Sequence, residues 1–122
     1  MPQTERKTFP RSHRLGGQRE FAEVFAARVR VSRGPLTVFA KSNGKKHNRL
    51  GLSVSRKVGS AVVRNRIKRL LREAYRSTRH DLPTGYDLVI VPRGGQPWSL
   101  EECQKSLVAA VRKLHEIFLS RT

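Results

Sequence analysis

A chain of 122 residues has room for one domain and one modest hydrophobic core, and its 26 Lys and Arg against 9 Asp and Glu give a formal net charge of +17. A surface so self-repelling calls for a polyanionic partner. The single cysteine, Cys103, excludes an internal disulfide and a cysteine metal cluster. No apolar run approaches the ~18 residues of a membrane span, and the opening MPQTERKTFPRSHR lacks a secretory core, so the chain reads as cytoplasmic with no membrane partner.

Residues 1–17 are basic, contain Pro and Gly, and show no periodicity; they read as a flexible arm able to order on binding, ahead of a single domain over 18–122. QREFAEVFAA (18–27) sets Phe21, Val24 and Phe25 on one face of a short helix. LTVFA (36–40) reads as a strand, and KSNGKKHN after it carries the hairpin signal Asn43-Gly44. In LGLSVS (50–55), Leu50, Leu52 and Val54 alternate with Gly51, Ser53 and Ser55, the pattern of a strand buried on one face. The two segments are expected to pair antiparallel.

RNRIKRLLREAYR (64–76) holds six basic residues and one acid, Glu73. At 100° per residue Val63, Ile67, Leu70 and Ala74 fall on one side of a helix, and Lys68, Arg69, Arg72 and Arg76 on the other. A solvated helix face ordinarily mixes signs into i,i+4 pairs; this one is nearly all positive and gains from a polyanion instead. The surroundings agree, since residues 41–80 hold 13 Lys and Arg with 1 acid, whereas residues 81–122 hold 5 of each. After the loop DLPTG, the unbroken apolar run YDLVIV (86–91) is expected centrally in a sheet. PRGGQP is a turn, Ser99 and Glu102 form a capping box with Trp98 and Cys103 as its hydrophobic staple, and a last helix carries Leu100, Cys103, Leu107, Val111, Leu114 and Phe118 on one stripe.

Catalytic constellations are not evident. The histidines at 13, 47, 80 and 115 have no second ligand at metal-binding spacing, and there is neither a P-loop nor a G-x-S-x-G. Ser53 and Ser55 read as small polar residues on a solvent face that leave room for phosphates. The residues alone favour a binding protein, with a ribosomal-type RNA binder as one form of it.

LGLSVSRKVGSAVVRNRIKRLLREAYR (50–76) resembles the signature of the bacterial ribonuclease P protein component, with Arg64, Asn65 and Arg66 as its Arg-Asn-Arg motif. RLGGQREFAEVF and YDLVIVPR extend the resemblance over Arg14 to Leu119. It implies a two-layer α/β sandwich in the order helix, three strands, helix, strand, helix, with a first strand near Val29 to Ser32 and a left-handed β-α-β crossover. The implied activity is that of the protein subunit of an RNA enzyme, removing the 5′ leader of precursor tRNA, with catalytic Mg²⁺ ions held by the RNA subunit. The implied partners are ribonuclease P RNA and precursor tRNA.

Two surfaces follow from the resemblance. Arg64, Asn65, Arg66, Lys68, Arg69 and Arg72 would meet the catalytic RNA, guanidinium forks matching phosphate oxygens. A cleft between sheet and first helix would grip the leader with Phe21, Phe25 and Phe39, beside Ser53, Arg56 and Lys57. Phe39 stands where the family often has Tyr, and Ser60 where it commonly has Asn. Spacing alone would make Phe21 and Phe25 core residues; only the resemblance makes them a stacking surface.

Overall fold

The computed structural model describes residues 11–93 and 99–121. Along the chain come helix α1 (Gly17–Ala26), strands β1 (Val29–Arg33), β2 (Leu36–Ser42) and β3 (Arg49–Leu52), helix α2 (Ala61–Thr78), strand β4 (Tyr86–Pro92) and helix α3 (Leu100–Ser120). Short 3₁₀ turns lie at Arg11–His13, Arg56–Val58 and Arg79–Asp81. Ser60 caps α2 by accepting from Val63 N–H at 3.3 Å, and Ser99 caps α3 by accepting from Glu102 N–H at 3.0 Å. Trp98, the other half of the expected staple, lies outside the described residues, as do residues 1–10 of the arm and most of the PRGGQP turn.

The strands form one sheet in the order β1-β2-β4-β3, with β4 antiparallel to β2 and parallel to β3. An unbroken apolar strand buries both its faces, and β4 does so between two neighbours. The expected pairing of β2 with β3 is therefore corrected: β4 inserts between them. Asn43 does make a turn, its Oδ1 accepting from Lys45 N–H at 2.8 Å with Gly44 at φ 69°. That turn closes no hairpin, because the loop is tied across the start of β4 instead. Asn43 N–H donates to Gly85 O at 2.9 Å, Tyr86 N–H donates to Asn48 Oδ1 at 2.9 Å, and Asn48 Nδ2 donates to Pro83 O at 2.9 Å. The strand read over 50–55 is also shorter than expected, since after Ser53 N–H bonds Ile90 O the chain leaves β4 for the Arg56–Val58 turn.

The sheet and a layer made of α2 and α3 enclose the main core. Leu36, Val38, Ala40, Leu50, Leu88 and Ile90 meet Leu71, Ala74 and Tyr75 of α2 and Cys103, Leu107, Ala110, Val111 and Leu114 of α3. The last helix keeps its predicted stripe. In α2 the buried side lies about one position further round than the sequence pattern placed it: Leu71 and Tyr75 are fully inside, while Ile67 and Leu70 are half-buried. The cause is α3, which packs along α2 and draws those two residues under it. On the opposite face of the sheet α1 lays Val24 over Val89, with Leu15 beside them.

Leu15 comes from the segment read as an arm. Its N–H donates to Leu50 O at 2.9 Å, extending the β3 edge, and His13 stacks on His47 at 4.0 Å with 12° between the rings.

Candidate nucleic-acid interface

On the α1 face the sheet registers define two rows of side chains running across the strands. Gly51, Val89, Phe39 and Arg30 make one row, and α1 lies over most of it. Ser53, Val91, Thr37 and Ser32 make the next, in which Ser32 is exposed, Ser53 and Thr37 are half-buried, and Val91 packs partly against the α1 cluster. Gly51 is required by the first row: a Cβ there would stand 2.5 Å from the Phe21 ring and 3.0 Å from Leu15. The α1 phenylalanines thus sit low against β3 and β2. Val24 is 0% exposed, but Phe21 and Phe25 remain half-exposed, and with Gln18, Ala22 and Ser53 they line a cavity of about 460 Å³. Phe39 meets Phe25 edge to face at 4.8 Å. Four of the six residues assigned to the cleft are therefore contiguous, whereas Arg56 and Lys57 are exposed on the 3₁₀ turn that follows Ser55.

What aims α1 is a charged cluster under its first turn. Arg49 on β3 donates from Nε and Nη2 to both oxygens of Asp87, at 2.8 and 2.7 Å, and from Nη1 to Glu20 at 3.0 Å. Glu20 also accepts from Gly16 N–H at 2.6 Å, and Asp87 from Asn43 Nδ2 at 2.9 Å. Burial by itself would raise the Asp87 carboxyl, but the bonds from Arg49 and Asn43 outweigh it and hold the group below its ordinary value. Glu20 is held low too, first by the Gly16 N–H and then by Arg49. An acid buried to 3% exposure is tolerable only when paired in this way. The run YDLVIV held the signal, since an Asp inside a central strand must have a cation near it.

The α2 surface bears the expected charge. Asn65, Arg66, Arg69 and Arg72 are exposed, and Arg64 and Lys68 are half-exposed. Arg64 differs from the others because its guanidinium donates to Gly59 O at 3.0 Å and clamps the start of the helix. Lys68 and Arg72 turn toward the β3 edge, where with Arg14, Leu15, Phe21 and Leu52 they line a second cavity of about 420 Å³. Phe21 borders both cavities, so the basic helix and the aromatic cleft adjoin at this edge. Arg14, Gly51 and Arg49 are the residues here that sequence patterns did not single out. Among the described residues no group of three or more His, Cys, Asp or Glu is placed to hold a metal ion, and no helix is long and apolar enough to cross a membrane.

Fold and site together define a basic α/β nucleic-acid-binding protein. The family model for Ribonuclease P matches residues 9–115. The ribonuclease P protein component of Brevibacillus brevis is 41% identical over 105 residues, 84% of this chain and 83% of the relative. That of Methylococcus capsulatus is 50% identical over 86 residues, 70% of this chain and 66% of the relative. Among solved structures, the RNase P protein from Thermotoga maritima aligns with a TM-score of 0.70 at 29% identity, covering 82% of this chain and 96% of that one. The Staphylococcus aureus RNase P protein aligns at 0.66 and 29%, covering 87% and 97%. The chain belongs to the ribonuclease P protein component family. Its function is that of the protein subunit that binds the RNA subunit and precursor tRNA for 5′ maturation, and catalysis resides in the RNA component.

Proposed function

We propose that the two adjoining surfaces divide the work of the subunit. Arg64, Asn65, Arg66, Lys68, Arg69 and Arg72 on α2 hold the catalytic RNA, and Phe21, Phe25, Phe39 and Ser53, with Arg56 and Lys57 at the mouth, hold the single-stranded leader of precursor tRNA. Aromatic faces stack on any base, which suits a subunit serving many different leaders. The protein raises affinity for precursor over mature tRNA and aligns the scissile phosphate by holding what lies 5′ of it. Catalytic Mg²⁺ belongs to the RNA subunit in this reading. It supplies activation of water and stabilisation of the leaving oxygen, and the carboxylates on the α1 side of the sheet are taken, Glu20 and Asp87 by Arg49 and Glu23 by Lys41.

The observation that carries the leader assignment is the half-exposure of Phe21 and Phe25 around one cavity while Val24 between them is sealed. Helix α1 packs through Val24 and presents its rings. The test is the double variant Phe21→Leu with Phe25→Leu, which keeps apolar volume and removes the aromatic faces. Each stacked base is worth about 1 to 3 kcal/mol. The variant should melt nearly as the parent does, bind ribonuclease P RNA normally, and lose much of the holoenzyme's preference for precursor over mature tRNA. A preference that survives in the folded double variant returns both residues to the core.

A further inference from the structure

The second row of the sheet does not stop at the cleft. From Ser53 it passes Val91 and reaches Thr37 and Ser32 on β1 at the far edge, a floor three strand spacings or ~14 Å long. At that far end Ser32 and Thr37 bond to each other through their hydroxyls at 2.8 Å. Whichever of the two donates, the other keeps its own proton for an outside acceptor. Beside them the Arg30 guanidinium lies 5.8 Å above the Phe39 ring, exposed, and among the described residues no carboxylate pairs with it. An exposed Arg within cation–π reach of an aromatic ring, next to a hydroxyl donor at the far edge of the sheet, is equipped for a phosphate and a ribose 2′-OH.

We propose that Arg30, Ser32 and Thr37 form a second leader subsite, which takes single-stranded RNA further from the cut than the bases on Phe21 and Phe25. The inference rests on the cleft reading above: Ser53 and the neighbouring Arg56 and Lys57 lie toward α2 and the catalytic RNA, so the leader enters at β3 and runs toward β1. Charge complementarity and the continuity of the floor with the aromatic cleft both favour a single RNA strand as occupant.

The experiment measures binding of precursor tRNAs by the holoenzyme, the full chain with a bacterial ribonuclease P RNA, using leaders of about two and about ten nucleotides, below and within the span of a single-strand groove. With the parent chain the long leader binds more tightly. Arg30→Ala should remove about tenfold from the long leader and leave the short one unchanged, Arg30→Lys should restore part of the gain, and Thr37→Val should lower it by a smaller factor. Arg121→Ala, which removes an exposed charge beyond α3, should leave the length dependence intact. A long-leader gain that survives Arg30→Ala, or an equal loss for both leaders, overturns the subsite. The two readings fail separately, because the cleft assignment falls only if the precursor preference survives Phe21→Leu with Phe25→Leu.

Discussion

Arg49 couples the sheet to the helix above it. It satisfies the buried Asp87 through two bonds and reaches Glu20 in α1 with its remaining arm, so it joins sheet stability to the attitude of the cleft helix. Replacing it with Met leaves an unpaired buried carboxylate, which should cost about 3 to 5 kcal/mol at neutral pH, read as a fall in thermal midpoint. The pH dependence fixes the cause. In the parent, Asp87 and Glu20 titrate below their unfolded values, so their contribution is complete above about pH 5 and is lost as pH falls through the unfolded and then the lowered folded values. Without Arg49 the Asp87 carboxyl loses its strongest lowering contact while its burial remains, so the variant has less stability of this kind to lose in acid. The stability gap between parent and Arg49→Met should therefore narrow as pH drops toward 4; a gap that is constant with pH contradicts the pairing. Gly51→Ala acts at the same site through sterics. Its Cβ would press on Phe21 and Leu15, which should cost about 1 to 3 kcal/mol and weaken precursor preference while affinity for the catalytic RNA is kept. Equal loss of both affinities would contradict this account of Gly51. Neither residue was legible by type alone, since a strand Gly facing an aromatic looks in sequence like a spacer on a solvent face.

Among the elements, α2 is where charge and fold separate most cleanly. Arg66, Arg69 and Arg72 are exposed, but Arg64 holds the Gly59 carbonyl and so belongs partly to the helix start. The triple variant Arg66→Ala, Arg69→Ala, Arg72→Ala should keep its melt and make the slope of log affinity for the catalytic RNA against log salt shallower by about 2 to 3. An unchanged slope would remove α2 from the RNA interface. Helices were the most readable elements, because their signal is local: Ser99 caps α3 as the S-x-x-E pattern predicts, and the α3 stripe packs on the core as spaced, with Leu100 and Phe118 at its ends partly exposed. The pairing of β2 with β3 was misread for the opposite reason. The Asn43-Gly44 turn is real, but β3 finds its partner at Leu50–Leu88 and β2 finds its own at Phe39–Val89, contacts that no local pattern encodes. The apolar run of β4 implied two covered faces, and its two flanking strands complete that burial.

Across the whole molecule, the net charge of +17 pointed to the class of partner, and the basic helix α2 carries the surface proposed for the RNA subunit. The proposed leader cleft rests on the family likeness, since Phe at i and i+4 is by itself the pattern of a core. What leaves those rings partly exposed is a three-dimensional circumstance, with Val24 taking the buried position and Arg49 fixing the helix above the sheet. The central claim is that this chain binds and aligns while RNA performs the hydrolysis. Its most direct test is cleavage of a precursor tRNA at a Mg²⁺ concentration too low for a bacterial ribonuclease P RNA to act alone. Adding the chain should produce a single cut at the mature 5′ end, and the chain without RNA should produce none. Cleavage by the protein alone, or no cleavage by the two together, would contradict the account.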